Sequence, residues 1–124
     1  MTSITPSRQG RVLFHCAALF NWGAVLILAL LAHPLGVQPP QETMFGQLVL
    51  AAIFIFGCGF WMVGAAPGAN RGIAVIGAWS KLAIVAVVLA HWVAGGATAQ
   101  FAALVSGDIV FACLFFRFLK RTAG

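Results

Sequence analysis

The chain has 124 residues, of which 62% are hydrophobic and only 7% charged, with seven Lys/Arg against two Asp/Glu for a net charge of +5. A water-soluble domain carries roughly 25% charged residues to wet its surface, so lipid is the natural solvent for most of this one. The cations border apolar runs and do not cluster among aromatics on one face. That is the pattern of topogenic charge, not of nucleic-acid binding.

A membrane-crossing helix needs roughly 20 mostly apolar residues, and four runs reach that length. The first, about 11–33, closes at Pro34 and Gly36. Its apolar stretch exceeds the ~7–15 residues of a signal-peptide core and no A-x-A cleavage site follows, so it is expected to be retained as a helix. The second, about 44–64, follows Pro39 and Pro40; the third, about 72–93, closes at Gly95 and Gly96; the fourth, about 98–118, closes at Lys120 and Arg121. Membrane strands are excluded because they need ~10 residues of alternating polarity, whereas these runs are continuous and Ala/Leu-rich. Helices also satisfy their own backbone polar groups, which lipid cannot do. Short connections make neighbouring helices antiparallel. The expected fold is all-α, a single membrane domain over 1–124 forming an antiparallel transmembrane four-helix bundle.

Orientation follows from the cations. Arg8 and Arg11 precede the first run, Arg71 separates the second and third, and Arg117, Lys120 and Arg121 end the fourth. All three places fall on one side of a four-span bundle, and the other two connections contain no Lys or Arg. The positive-inside rule then puts both termini in the cytoplasm. Trp61 and Trp92 stand towards run ends, where interfacial indoles are common, while Trp22 and Trp79 are expected to pack between helices. Gly57, Gly59, Gly64, Gly72 and Gly77 mark places where helices can approach closely.

The two charged residues inside runs carry the most information. Lys81 lies in the third run and Asp108, one of only two acids, in the fourth. Each charge at the bilayer centre costs roughly 2.5–3.5 kcal/mol. At 1.5 Å per residue, Lys81, Asp108 and Asn21 all fall ~13–15 Å from the basic border, near one level. This predicts a mid-depth Lys81–Asp108 pair with Asn21 as third member, since pairing offsets the burial of each charge. Phe14, Gly77, Leu104 and Phe111 share the same helix faces and are expected to surround it. The pair either locks two helices together or forms a polar spot that binds a ligand or passes protons.

Other candidates carry less. His33, His91, Gln47 and Glu42 stand near the opposite border but are dispersed over three segments, and no metal site is expected. His15 is expected to be a hydrogen-bonded packing residue. Cys16, Cys58 and Cys113 each lie within an apolar run with no ligand spacing and read as small apolar residues. Ser80 beside Lys81 does not make a dyad, because adjacent helical residues do not face each other. No GxSxG, HExxH, P-loop or dinucleotide glycine pattern occurs, and no cofactor is expected. Small multidrug exporters rely on an acid within the first helix, which is lacking here.

The ordered pieces Phe20-Asn21-Trp22-Gly23, Leu35-Gly36 with Pro39-Pro40, Gly57-Cys58-Gly59-Phe60-Trp61, Asn70-Arg71-Gly72-Ile73 with Gly77 and Lys81, and Gly107-Asp108 with Phe111-Ala112 span most of the chain. This pattern resembles a largely uncharacterised family of small bacterial four-helix integral membrane proteins, loosely similar to DoxX-like proteins. The chain departs from that pattern at Ser80, where the family has Gly, and at Phe60, where Tyr is common. The resemblance implies the four-span topology and the importance of Asn21, Lys81 and Asp108, and implies no particular reaction. The leading expectation is a non-catalytic accessory or scaffold component, with the bilayer and other membrane subunits as partners. The alternatives are a binder or transporter of a lipophilic small molecule or proton using the Lys81–Asp108 pair, and a partner of a quinone-linked redox enzyme.

Overall fold

The computed structural model describes residues 6–31, 34–36 and 43–122, and among these every regular element is helical. Helix α1 spans Pro6–Leu26 and continues as a π-helical turn, Ile27–Leu31; α2 spans Thr43–Ala65, α3 Arg71–Val93 and α4 Ala99–Arg121. All four are long and apolar enough to cross a membrane. The buried share of each apolar window is only 22–39%, so most of the greasy surface faces outward. Leu19, Ile55, Ile76 and Val110 are among these outward-facing residues. In water such a surface would aggregate; in lipid it is solvated.

The helix ends show why the runs stop where they do. α1 begins earlier than its apolar run because proline is tolerated at a first helical position, where an N–H has no intrahelical partner. Thr98 caps α4, its hydroxyl accepting from the Phe101 N–H at 3.1 Å. α4 runs on through Lys120 and Arg121, whose positive charges suit a helix C-terminus. After α3 the chain turns at Gly95, whose φ of +84° favours glycine. Asn70 Nδ2 donates to the Met62 and Ala66 carbonyls, closing the end of α2. Arg71 donates to the Leu119 carbonyl and the Thr122 hydroxyl, closing the end of α4.

Packing is heaviest between α1 and α2 and between α3 and α4, and thinner along the α2/α3 and α1/α4 seams. His15 packs on Gly64 and Trp22 on Gly57, while Phe60 covers Gly77 and Phe20 covers Gly107. In each case a large ring sits where the facing helix has no side chain. This is how helices gain van der Waals contact in a solvent that supplies no hydrophobic drive. Gly72 is different, since nothing approaches its Cβ direction within 4 Å. Trp79 also departs from expectation: it is 62% exposed, on the outer face of α3 with its ring edge to Phe116. Hydropathy placed it at depth, but the rotation of α3 turns it outward. Trp22 does pack between helices, and its Nε1 donates to the Phe54 carbonyl at 3.3 Å.

A direct test contrasts two helical glycines. A Cβ at Gly57 would lie 2.6 Å from Trp22 Nε1, whereas one at Gly23 would meet nothing within 4 Å. Gly57→Ala should therefore lower stability by about 1–3 kcal/mol through overpacking. Gly23→Ala should raise it by up to about 1 kcal/mol, because alanine is the better helix former. Thermal unfolding of the two variants in one detergent reads the difference; equal midpoints would remove Gly57 as a contact point.

Candidate functional site

Asn21 lies in the last third of α1, Lys81 and Asp108 about midway along α3 and α4, and all three side chains meet. Lys81 Nζ is 2.5 Å from Asp108 Oδ1 and 3.2 Å from Asn21 Oδ1. The Asn21 amide nitrogen in turn donates to the Ile53 carbonyl of α2 at 3.1 Å. One polar cluster thus ties all four helices together. Asn21 is suited to this because its amide accepts from one side and donates to the other. The cluster is buried: the Lys81 side chain is 4% exposed and that of Asp108 13%. The carboxylate is therefore the more open member of the pair.

Lys81 also sits in an aromatic cage. The rings of Phe20, Phe60, Phe111 and Phe115 have centroids 5.5, 5.3, 5.5 and 5.9 Å from Nζ. An ammonium within about 6 Å of a ring is attracted to its electron-rich face, worth up to ~2 kcal/mol when desolvated. Four such faces replace part of the hydration that the buried ammonium has lost. Among the described residues Asp108 and Asn21 engage two of its three N–H groups. The third is left to the rings or to a ligand.

On the side towards Arg8, Arg71 and Arg121, hereafter the basic end, the cluster rests on a dry layer. Phe14, Phe60, Val63 and Phe115 are at most 1% exposed. Phe14 stacks on Phe115 with centroids 4.3 Å apart, and Phe60 meets Phe115 edge-on at 5.1 Å. On the other side the helices part around a cavity of about 850 Å³. It starts at Asn21, Lys81 and Asp108 and reaches His91, Gly96 and Phe101 at the far end. From Lys81 to His91 is ten residues of α3, a length of about 15 Å. Val49, Ile53, Ile84 and Leu104 line its middle, and Leu28 of the π-helical turn lines it from α1. A volume of this size suits a drug-sized or lipid-like molecule.

Of the four residues expected around the pair, Leu104 lines the cavity. Phe14 and Gly77 do not: both lie in the dry layer, Phe14 stacked on Phe115 and Gly77 beneath the Phe60 ring. They share a helix face with the pair but sit a turn or more towards the basic end. Phe111 faces Lys81 and lines a separate groove between α1 and α4. Sequence reasoning missed Phe20, Phe60 and Phe115. Phe20 adjoins Asn21, and Phe60 lies in the glycine-rich Gly57–Trp61 piece, so both stood within motifs already picked out.

The remaining candidates separate clearly. Ser80 Oγ donates to the Gly77 carbonyl of its own helix at 3.0 Å, with no tie to Lys81. His15 packs on Trp61 at 4.1 Å between centroids, but its buried Nε2 has no hydrogen-bond partner among the described residues, contrary to the expectation of a bonded histidine. His33 and Glu42 lie outside the described residues, while His91 lines the far end of the cavity. Cys16, Cys58 and Cys113 are unpaired thiols. Comparison with protein families, with curated proteins and with solved structures gives no match.

Proposed function

We propose that this protein is a multi-pass bacterial inner-membrane protein that binds a lipophilic small molecule, whose polar head meets the Lys81–Asp108 pair at the closed end of the cavity. The observation that carries this reading is the 850 Å³ apolar cavity ending on a buried ion pair. A scaffold needs packed helices but no such space. The chemistry at the closed end favours a head with a hydroxyl or carbonyl. A hydroxyl donates to the more open Asp108 carboxylate, and a carbonyl accepts the third Lys81 N–H. Passage of protons through the protein is disfavoured by the layer of Phe14, Phe60, Val63 and Phe115, whose side chains carry no polar atom.

The arrangement in the membrane that goes with this reading is an antiparallel bundle with both termini cytoplasmic. Its support is that contacts run in opposite residue order, Gln9 with Arg121, Gly10 with Phe118 and Phe20 with Gly107, and likewise His15 with Gly64 and Trp22 with Gly57. The terminal arginines then share one side, as the positive-inside rule requires. The cavity accordingly belongs to the outer half of the bilayer.

Photo-crosslinking with a long-chain alkyl ketone bearing a diazirine tests the binding. The expected adducts fall on Val49, Ile53, Ile84 and Leu104, and Leu104→Trp, which fills the cavity, should reduce them at least about tenfold. Adducts spread equally over outward-facing Val75, Ile76 and Val110, and unaffected by Leu104→Trp, would overturn the proposal.

A further inference from the structure

A second site lies at the basic end, along the α1/α4 seam. The thin α1/α4 seam opens there into a groove of about 510 Å³. Arg8, Arg117 and Arg121 stand along it, and Val12, Leu13 and Leu114 form its apolar part. From Arg8 inward to Cys16 is eight residues of α1, about 12 Å. The groove is thus cationic at its mouth and apolar inside, the profile of an amphiphile with an anionic head.

The charge count sharpens this. The chain has two acids, Glu42 and Asp108. Asp108 is engaged by Lys81, and Glu42 belongs by sequence to the connection before α2. Among the described residues no side-chain carboxylate lines the groove. Arg121 is oriented by Gln9, whose side-chain oxygen accepts from its Nη1 at 2.8 Å, a contact that positions the guanidinium without neutralising it. Guanidinium groups match phosphate oxygens in a planar, two-pronged geometry, and basic clusters beside membrane helices attract anionic headgroups.

We infer that the α1/α4 groove is a binding site for an anionic glycerophospholipid of the cytoplasmic leaflet, its phosphate held by Arg117 and Arg121 and one acyl chain lying along Val12, Leu13 and Leu114. The groove and the cavity have no lining residue in common. Phe111 lies between them: it lines the groove, faces Lys81 and packs on Phe20, which lines the cavity.

The test uses the purified full chain in a non-ionic detergent, with native mass spectrometry counting bound lipid. Phosphatidylglycerol, phosphatidylcholine and glycerol 3-phosphate are titrated in parallel. Phosphatidylglycerol is expected to bind at least about tenfold more tightly than phosphatidylcholine, and Arg117→Gln with Arg121→Gln to abolish that preference. Lys120→Gln, a cation outside the groove, should leave it intact. Leu114→Trp keeps every charge and fills the apolar part, so it should weaken phosphatidylglycerol binding while the protein stays folded. Equal binding of the two lipids, an equal loss in Lys120→Gln, or full binding by Leu114→Trp would overturn the assignment. Glycerol 3-phosphate binding as tightly as phosphatidylglycerol would make the site one for free phosphate and overturn the lipid occupant.

Discussion

Asp108→Ala is expected to destabilise the protein by about 3–5 kcal/mol, and the double change Lys81→Met with Asp108→Leu by much less. The single change leaves the Lys81 ammonium in a site where its side chain is 4% exposed, with Asn21 and four ring faces around it among the described residues. Burying an uncompensated charge is among the costliest changes a fold can suffer. The double change removes both charges and puts apolar groups of similar volume in their place, which is often neutral or stabilising. Thermal unfolding of both variants beside the wild type reads the order directly. A double mutant less stable than Asp108→Ala would show that the pair contributes net stability. A double mutant that folds normally but gains no ketone crosslink at Ile84 and Leu104 would assign the pair to the ligand and not to the fold.

Phe60→Ala should be the most damaging change to an uncharged residue. Phe60 is 1% exposed, covers Gly77, meets Phe115 edge-on and faces Lys81 Nζ at 5.3 Å. In a soluble core its truncation would cost roughly 3–5 kcal/mol, part of it from transfer to water. Here the unfolded reference is also lipid, as apolar as the core, so the transfer part largely cancels. The void beside Phe115 and the lost ring face for Lys81 remain, and the expected loss is about 3 kcal/mol. Phe45→Ala is the control. Phe45 lines the far end of the cavity but is 58% exposed, so its removal should change stability by less than about 0.5 kcal/mol. Equal losses from the two would mean that the dry layer holds nothing together. Phe60→Ala should also join the cavity to the space beneath it, so that bulkier diazirine ketones crosslink to Val63.

Much of this architecture is legible along the chain because hydropathy is a one-dimensional property. Four apolar runs of adequate length, the cations at their ends, and the glycines and prolines between them suffice to place four helices. The level of Lys81, Asp108 and Asn21 is equally linear, since a fixed rise per residue turns sequence separation into depth. Opposite charges at one depth in neighbouring apolar helices then have strong reason to meet, and they are 2.5 Å apart.

Rotation and spacing of the helices are not linear properties. Trp79 and Trp22 both stand well inside apolar runs, yet one faces outward and the other packs on α2, because only the rotation of each helix decides which way a side chain points. Phe14 and Gly77 occupy the face that carries the polar cluster but sit in the packed layer beside it. The aromatic cage draws its rings from α1, α2 and α4, and the cavity arises where α1/α2 and α3/α4 part on one side of that cage. By itself the sequence determined that the helices are membrane-long and that three polar groups share a level, for both follow from composition and rise per residue. Only the tertiary structure decided which rings enclose the ammonium and on which side of it space opens, because those depend on how four helices turn and lean against one another.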